Sequence, residues 1–185
     1  DLQAYNADPL FSDVPLEQLL SKTYARGLCD RIDMNAASEP SVKGGLDGGT
    51  IYLTTADRWG NMVSFIHSIF SVYGSGITIP PYGMILHNRG VAFSVDEEHP
   101  NVVAPRKRPF HSIIAGMVMQ YDQPLMTFGN MGGSVQPETH AQHMVNVIDH
   151  GMNVQMTTDV ARFTHSQNSN ILSLEHDLFS LVGRS

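Results

Sequence analysis

The spacing of apolar residues changes at residue 50, where a helical pattern gives way to a strand pattern. Between residues 14 and 31, leucines and a tyrosine recur every three or four positions, which predicts one helix. From Thr50 onward, apolar and polar residues alternate over 50–57, and a second alternating run follows over 62–66. Because only the short segment 58–61 separates the two runs, the sequence predicts a β-hairpin.

Strand and helix patterns also follow one another in the remainder of the chain. Segments 112–120 and 125–128 predict two strands, and 84–87 and 171–174 predict shorter ones, with 84–87 buried. Helices are predicted over about 137–150 and over 154–161, the second with Asn153 as its N-cap. Segment 35–49 predicts a loop. Strands in the middle with helices outside predict sheets covered by helices. The apolar face of the helix at 137–150 carries Ala141, Met144, Val147 and Ile148.

Composition narrows the classes of function. Eleven lysines and arginines against 18 aspartates and glutamates give a net charge of −7, which argues against a nucleic-acid partner. The single Cys29 excludes an intramolecular disulfide and a cysteine zinc cluster. Without a run of about 18 apolar residues, no membrane span is expected. The length of 185 residues suits one domain with an apolar core. Both ends resemble cuts in a longer protein, and the cytoplasm is favoured over the periplasm or secretion.

The first candidate for chemistry is Gly48-Gly49-Thr50, where two glycines lead into a strand that begins with threonine. Glycine permits a strained backbone beside a bond that is to be cut. The Thr50 hydroxyl could attack the preceding carbonyl, and the α-amine freed by cleavage could then serve as its base. On spacing alone, a plain turn before a strand is the favoured interpretation, and a self-cleaving N-terminal nucleophile is the chemical alternative.

Three other groups of residues have a chemical and a structural interpretation each. Gly132 and Gly133 could present backbone N–H groups to an oxyanion, or form a strand-to-helix turn. Ser68 could orient Thr50, or face solvent. Segment 108–112 could bind a substrate carboxylate, or form a solvated loop. The histidines at 140 and 143 have helical spacing but no partnering His-Glu motif, so no metal site is expected.

Taken in order, these motifs resemble the γ-glutamyltransferase family of N-terminal-nucleophile hydrolases, and the resemblance runs through most of the chain. Segment 13–25 is similar to the end of the family's large subunit, and Gly49-Thr50 to its processing junction. The order and spacing of the motifs make the match specific. The other motifs are Asp57-Arg58-Trp59-Gly60-Asn61, Gly74-Ser75-Gly76, Leu86-His87-Asn88-Arg89-Gly90, Lys107-Arg108-Pro109, Met131-Gly132-Gly133-Ser134 and Ala161-Arg162-Phe163.

The resemblance implies an α/β fold, a four-layer αββα sandwich, in a proenzyme that is cut before Thr50. Residues 1–49 would then be the C-terminal part of the large subunit, and 50–185 the catalytic small subunit, truncated at its C-terminus. The implied partner is the remainder of the large subunit from the same precursor, and a dimer of such heterodimers is left open. No cofactor is implied.

The resemblance also assigns roles to individual residues. Thr50 matches the nucleophile, and Ser68 stands where the family has a threonine that hydrogen-bonds it. Gly132 and Gly133 match the oxyanion hole. The substrate carboxylate is held in the family by a Ser-Ser pair, whose positions carry His111 and Ser112 here.

At three positions the chain departs from true γ-glutamyltransferases. They bind the substrate amine through Asn, Gln and Asp, where this chain has Phe70, Arg89 and Ala92. Because a cationic amine is disfavoured beside Arg89, the acyl group is expected to carry a carboxylate and no amine. The pattern is similar to the branch of γ-glutamyltransferase-like proteins, cephalosporin acylases and oxamate amidohydrolase. The expected function is an amide hydrolase or acyltransferase on a small amide substrate. The alternatives are a true γ-glutamyltransferase (glutathione hydrolase) and a non-catalytic homologue.

Overall fold

The computed structural model of the chain describes residues 2–36, 48–166 and 169–182. Its residues form two units where the sequence predicts one domain. The first comprises Asp1–Pro40 and Asn88–His111, and the second Ser41–His87 and Ser112–Ser185. The division at 49/50 expected from the resemblance concerns subunits of a cut precursor, so it is a different division. Most of the predicted loop at 35–49 lies outside the described residues.

In the first unit, the single helix predicted over 14–31 is wrong, because the chain forms two shorter helices there. Ser21 ends the first helical turn and starts the next helix by accepting a hydrogen bond from the Tyr24 N–H at 3.0 Å. A serine that bonds the backbone in this way favours a helix start over a helix interior. The helices of this unit are α1 (Leu2–Tyr5), α2 (Leu16–Leu19), α3 (Lys22–Cys29) and a 3-10 turn (Arg89–Ala92).

Polar contacts join the two segments of the first unit. The Asp8 side chain is 1% exposed and accepts hydrogen bonds from the Arg108 backbone N–H at 2.9 Å and from its guanidinium at 2.7 Å. These donors hold the pKa of Asp8 well below its usual range. The Ser12 hydroxyl also crosses between the segments and donates to the Pro100 carbonyl at 2.9 Å. Within the second segment, the Lys107 ammonium donates to the same carbonyl at 2.6 Å. Charge-assisted bonds of this kind fix the N-terminal segment against residues 100–108.

The second unit is built from four antiparallel hairpins and three helices, within the residues that the structure describes. The hairpin predicted after Thr50 is confirmed, and its strands extend further than predicted. The strand predicted as buried at 84–87 is shorter, and its two residues are exposed. The elements are β1 (Gly48–Ala56), β2 (Met62–Ser71), β3 (Thr78–Ile79), β4 (Met84–Ile85), β5 (Ala115–Gln120), β6 (Gln123–Gly129), α4 (Gln136–Ile148), α5 (Val154–Asp159), β7 (Phe163–Ser166), β8 (Ile171–Leu174) and α6 (His176–Val182).

Strand β6 lies between the β1–β2 hairpin and helix α4. Thr127 hydrogen-bonds Thr54 of β1, and Gly129 lies under the ring of Tyr52. Phe128, between them, contacts the ring of His140 on α4 at a centroid distance of 5.0 Å. Successive strand side chains point to opposite faces, so the order of layers is sheet, sheet, helix. The predicted α/β class is confirmed, and this order corresponds to three of the four layers of the predicted sandwich.

The buried residues of the described chain are polar, whereas the sequence predicts an apolar core. None of the hydrophobic side chains in the described ranges is fully buried. On α4, the buried residues are Gln136, Thr139 and His140, so the apolar face predicted for this helix is not the one that it buries. The outer face of β1–β2 leaves apolar side chains open, including Ile51 at 56% and Phe65 at 46% exposure. Periodicity identifies apolar faces, but it does not identify what covers them.

Candidate active site

The β1–β2 hairpin brings the predicted nucleophile and its predicted partner together. Thr50 and Ser68 are directly opposite each other in the antiparallel register. Their hydroxyl oxygens are 3.0 Å apart, within hydrogen-bonding distance, and both residues are half-buried. The solvent-facing alternative for Ser68 is therefore wrong.

The hairpin ladder is interrupted beside Thr50. Thr50 pairs with Ser68 but Gly49 pairs with Phe70, so Ile69 is the extra residue of a β-bulge. Phe70 has a φ of 73°, in the left-handed region that non-glycine residues seldom adopt. Its N–H donates to the Ser68 hydroxyl at 3.1 Å. The bulge thus lies opposite the Gly49–Thr50 peptide bond and is bonded to the side chain that contacts Thr50.

The predicted oxyanion residues form the turn between β6 and α4. Gly132 has a φ of 123° and Gly133 a φ of 60°, both in the region that favours glycine. A Cβ on Gly132 would come within 2.7 Å of Val135 Cγ2, so a larger residue there is excluded by backbone angle and by space. A short 3-10 turn, Gly133–Val135, leads directly into α4. Free backbone N–H groups at a helix start suit a developing negative charge.

Strand β1, which carries Thr50, contacts strand β6, which ends just before this turn. Tyr52, two residues after Thr50, lies against Gly129, three residues before Gly132. A Cβ on Gly129 would come within 2.5 Å of the Tyr52 ring, so only glycine allows this close approach. The Tyr52 hydroxyl is also 3.0 Å from the Ser64 hydroxyl of β2. Sequence reasoning missed Tyr52, because an aromatic residue in an alternating strand is ordinary.

Two side chains fix the glycine turn on the α4 side. Gln136, 1% exposed, accepts a hydrogen bond from the Ile114 N–H at 3.0 Å. Asn130 donates to the hydroxyl of Thr139. The Gln136 bond places the start of α4 against the segment that follows Ser112, which is itself 7% exposed. Nothing in the local sequence signals these roles, since a glutamine before a proline at a helix start is common.

The remaining predicted site residues, Arg89 and His111, belong to the first unit. Arg89 lies in the 3-10 turn, is 3% exposed, and has its pKa lowered by burial. His111 is exposed, and its Nδ1 is 2.7 Å from the Pro109 carbonyl oxygen. The boundary between the units falls between His111 and Ser112.

The histidines of α4 pack against an aromatic ring. His140 and His143 both lie beside Phe128, and burial lowers the pKa of each. Among the described residues, no group of three or more His, Cys, Asp or Glu side chains is arranged to hold a metal ion. Within the same ranges, every helix is too short or too polar to cross a membrane.

The arrangement in the second unit is suited to acyl transfer. A hydroxyl stands at the end of a strand, after two glycines, with a second hydroxyl 3.0 Å away. Strand β6 packs on the strand that carries this hydroxyl, and the glycine turn that follows β6 lies at the start of a helix. A nucleophile and a set of backbone donors are the two components that attack on a carbonyl carbon requires.

Comparison with known proteins supports this interpretation. The gamma-glutamyltranspeptidase family model matches residues 1–182. The chain is 39% identical over 163 residues to the glutathione hydrolase-like YwrD proenzyme of Bacillus subtilis, and 36% identical over 176 residues to the oxamate amidohydrolase proenzyme of Klebsiella pneumoniae. These alignments cover 88% and 93% of this chain, and 31% and 33% of the relatives. The chain thus spans about a third of the length of the curated relatives it matches.

A solved structure gives the same result for the fold. Cephalosporin acylase from Bacillus halodurans superposes with a TM-score of 0.80 at 41% identity, over 89% of this chain and 30% of that one. This chain and the cephalosporin acylase therefore agree both in sequence and in backbone fold over 89% of this chain. The chain belongs to the gamma-glutamyltranspeptidase family.

Proposed function

We propose that this chain is part of a self-processing amide hydrolase or acyltransferase in which Thr50 is the N-terminal nucleophile. The observation that carries the proposal is the 3.0 Å contact between the Thr50 and Ser68 hydroxyls, directly after Gly48-Gly49 and opposite a bulge. A strand-leading threonine without a chemical role needs neither the paired hydroxyl nor the interrupted ladder. The proenzyme relatives support the same conclusion.

Self-cleavage is an attack by Thr50 Oγ1 on the Gly49 carbonyl carbon. The Gly49–Thr50 C–N bond breaks, the hydroxyl proton goes to the departing nitrogen, and an ester joins Gly49 to Oγ1. Water then hydrolyses the ester, which leaves a carboxylate on Gly49 and a free amine and hydroxyl on Thr50. The amine is now placed to take the proton of its own hydroxyl.

Turnover repeats this chemistry on a substrate amide. Thr50 Oγ1 adds to the carbonyl carbon, its proton passes through the α-amine to the leaving amine, and an acyl-enzyme ester remains. Gly132 and Gly133 would supply N–H donors to the oxyanion of each tetrahedral intermediate. Water releases the acyl group as an acid, or an amine acceptor releases it as a new amide.

For the substrate, we infer an acyl group that carries a carboxylate and no amine, such as a dicarboxylic acid monoamide. Arg89 is a buried cation, and a substrate carboxylate suits such a group better than an ammonium does. His111 and Ser112 are proposed for carboxylate binding on the family resemblance alone, since they stand where the family has its Ser-Ser pair. The relative that acts on oxamate is consistent with this class.

We further infer that the remainder of the large subunit is the partner of this chain. Residues 1–49 would be the C-terminal part of that subunit and 50–185 the small subunit, truncated at its C-terminus. Support comes from the outer face of β1–β2, where Ile51, Leu53, Val63 and Phe65 are all at least 41% exposed. An apolar strip of this kind on the sheet next to the nucleophile suits a fourth layer of the sandwich.

Mass spectrometry of the full-length protein tests the processing. We expect a new N-terminus at Thr50 in the wild type and an intact chain in Thr50→Ala. An intact wild-type chain after native expression would overturn the proposal in favour of a non-catalytic homologue.

A paired assay tests the substrate class. The processed enzyme is given a glutaryl or oxalyl amide and, in parallel, a γ-glutamyl anilide. We expect higher kcat/KM on the amides that lack the α-amine, and Arg89→Met should remove most of that preference. A preference for the γ-glutamyl donor would instead identify a true γ-glutamyltransferase.

A further inference from the structure

We propose that Phe70 positions the Thr50 nucleophile for self-cleavage through its left-handed backbone conformation, and not through its side chain. This inference rests on the proposed function, because it assigns a role in cleavage of the Gly49–Thr50 bond. Phe70 acts on Thr50 Oγ1 through Ser68, so it is a positioning residue.

The bulge lies at the peptide bond that is to be cut. From Ala56 back to Thr50 the hairpin register is regular, and it shifts by one residue between Thr50 and Gly49. The irregularity therefore coincides with the peptide bond that must be cut. A bulge bends its strand and increases the local twist. In a regular ladder the side chain stands away from the preceding carbonyl, so a local distortion favours the approach of Oγ1 to that carbon.

Two hydrogen-bond contacts connect Phe70 to Thr50 through Ser68. Phe70 has a φ of 73°, and its N–H donates to Ser68 Oγ, two residues earlier on the same strand, at 3.1 Å. Ser68 Oγ is in turn 3.0 Å from Thr50 Oγ1. The left-handed residue thereby fixes the orientation of the hydroxyl that contacts the nucleophile.

The bulge also packs closely against Gly49. A Cβ on Gly49 would lie 3.2 Å from Ile69 Cγ1 and 3.3 Å from the Ser71 carbonyl oxygen. The bulged residues thus lie directly against the residue whose carbonyl is attacked. A bulge that relaxed to a regular ladder would shift both Ile69 and the Ser68 bond relative to that carbonyl.

Substitutions that differ in their tolerance of positive φ test the proposal in the full-length precursor. Glycine and asparagine adopt this conformation readily, alanine less so, and valine with difficulty. We expect Phe70→Gly and Phe70→Asn to cleave at least as fast as the wild type. Phe70→Val should cleave about tenfold more slowly, since steric strain at positive φ is of the size that changes a rate by that factor. Phe70→Ala, which differs from Phe70→Gly by one Cβ, should lie between them.

A matched control and a double variant separate positioning from general destabilisation. Tyr73 is also left-handed, with a φ of 63°, but lies after β2 and is 76% exposed. Tyr73→Val should cleave at the wild-type rate. In a Ser68→Ala background, Phe70→Val should slow cleavage little further, because the path to Thr50 is already removed.

The outcomes distinguish this inference from the proposed function. If the wild type is cleaved before Thr50 but Phe70→Val and Phe70→Ala cleave as fast as Phe70→Gly, the role of Phe70 is wrong and the proposed function stands. An equal tenfold loss in the Ser68→Ala background would also overturn it. A wild-type precursor that stays intact would overturn both.

Discussion

At the scale of single residues, the contact between Thr50 and Ser68 has a measurable consequence. Ser68→Ala removes a hydroxyl 3.0 Å from that of Thr50, the proposed nucleophile. A hydrogen bond to a group on which charge develops contributes about 1.4 kcal/mol, which corresponds to about tenfold in rate. We expect cleavage of the precursor and turnover of the processed enzyme to slow by about this factor, and Ser68→Thr to restore both.

The control for this prediction is a serine on another strand. Ser173 lies on β8 and is exposed, so Ser173→Ala should leave both rates unchanged. Rates are followed by gel densitometry for cleavage and by release of amine for turnover. Ser68→Ala with wild-type rates would show that the contact is incidental.

At the scale of elements, Gln136 joins the start of α4 to the segment that precedes β5. Its amide oxygen accepts the Ile114 N–H at 3.0 Å, and its side chain is 1% exposed. Gln136→Met keeps the length of the side chain but leaves that N–H without its acceptor, at a cost of about 1–3 kcal/mol in the free energy of unfolding. Chemical denaturation of the full-length protein measures the loss.

Gln155 on α5 is the matched control for Gln136. It bonds the side chain of Asp159 on the exposed surface of its own helix. Gln155→Met should change the free energy of unfolding by less than about 0.5 kcal/mol. Equal effects of the two substitutions would contradict the assigned role of Gln136.

The contact between Asp8 and Arg108 makes the first unit sensitive to acid. The pKa of Asp8 is lowered in the folded state, first by the Arg108 side chain and then by its backbone N–H. Stability from a lowered pKa is complete above the unfolded value of about 3.9 and is lost as the pH falls from there toward the folded value. Asp8→Asn should therefore destabilise at neutral pH and show a smaller loss on acidification than the wild type.

Urea unfolding of the full-length protein at about pH 7 and about pH 3 measures this difference. Arg108→Met should reproduce the reduced pH dependence, whereas the exposed neighbour Arg106 is the control, and Arg106→Met should keep it. The assignment is contradicted if Asp8→Asn and the wild type lose equal stability between the two pH values.

Elements with strong local signals were predictable from the sequence. The alternation around Thr50 and the turn at Asp57, whose carboxylate accepts the N–H groups of Trp59 and Asn61, give the hairpin. Asn153 caps α5 as predicted, through the Met156 N–H. The break at Ser21 and the short strand β7 were missed, because one serine or four residues of mixed polarity carry too little periodicity to decide.

Some residues of the candidate site could likewise be identified from the local sequence, and others could not. Thr50 and the glycine pair are candidates that motif and order identify, and the positive φ values at 132 and 133 are ones that glycine favours. The bulge at Phe70 and the bond of Gln136 depend on cross-strand register and on contacts between distant segments. Local sequence holds no information on either, so only the folded chain shows them.

At the scale of the whole molecule, the layers of the second unit leave the outer apolar face of the β1–β2 hairpin exposed. The inner face of β1–β2 packs on β6 through Tyr52 and Thr54, whereas its outer face carries exposed apolar side chains. Phe65, 46% exposed, is central on that outer face because it pairs with Leu53 in mid-hairpin. A large apolar side chain stabilises a folded protein only when it is removed from water. We therefore expect the rest of the full-length protein to cover this face.

Phe65→Ala measures whether it does. In the full-length protein the substitution should cost about 3 kcal/mol of unfolding free energy if Phe65 is buried under a further layer, but less than about 0.5 kcal/mol if it faces solvent. Trp59, 76% exposed at the tip of the same hairpin, is the control, and Trp59→Ala should fall in the lower range. Equal small losses would mean that the hairpin is the outermost layer, and the inferred contact with the large subunit would then have to lie on another face.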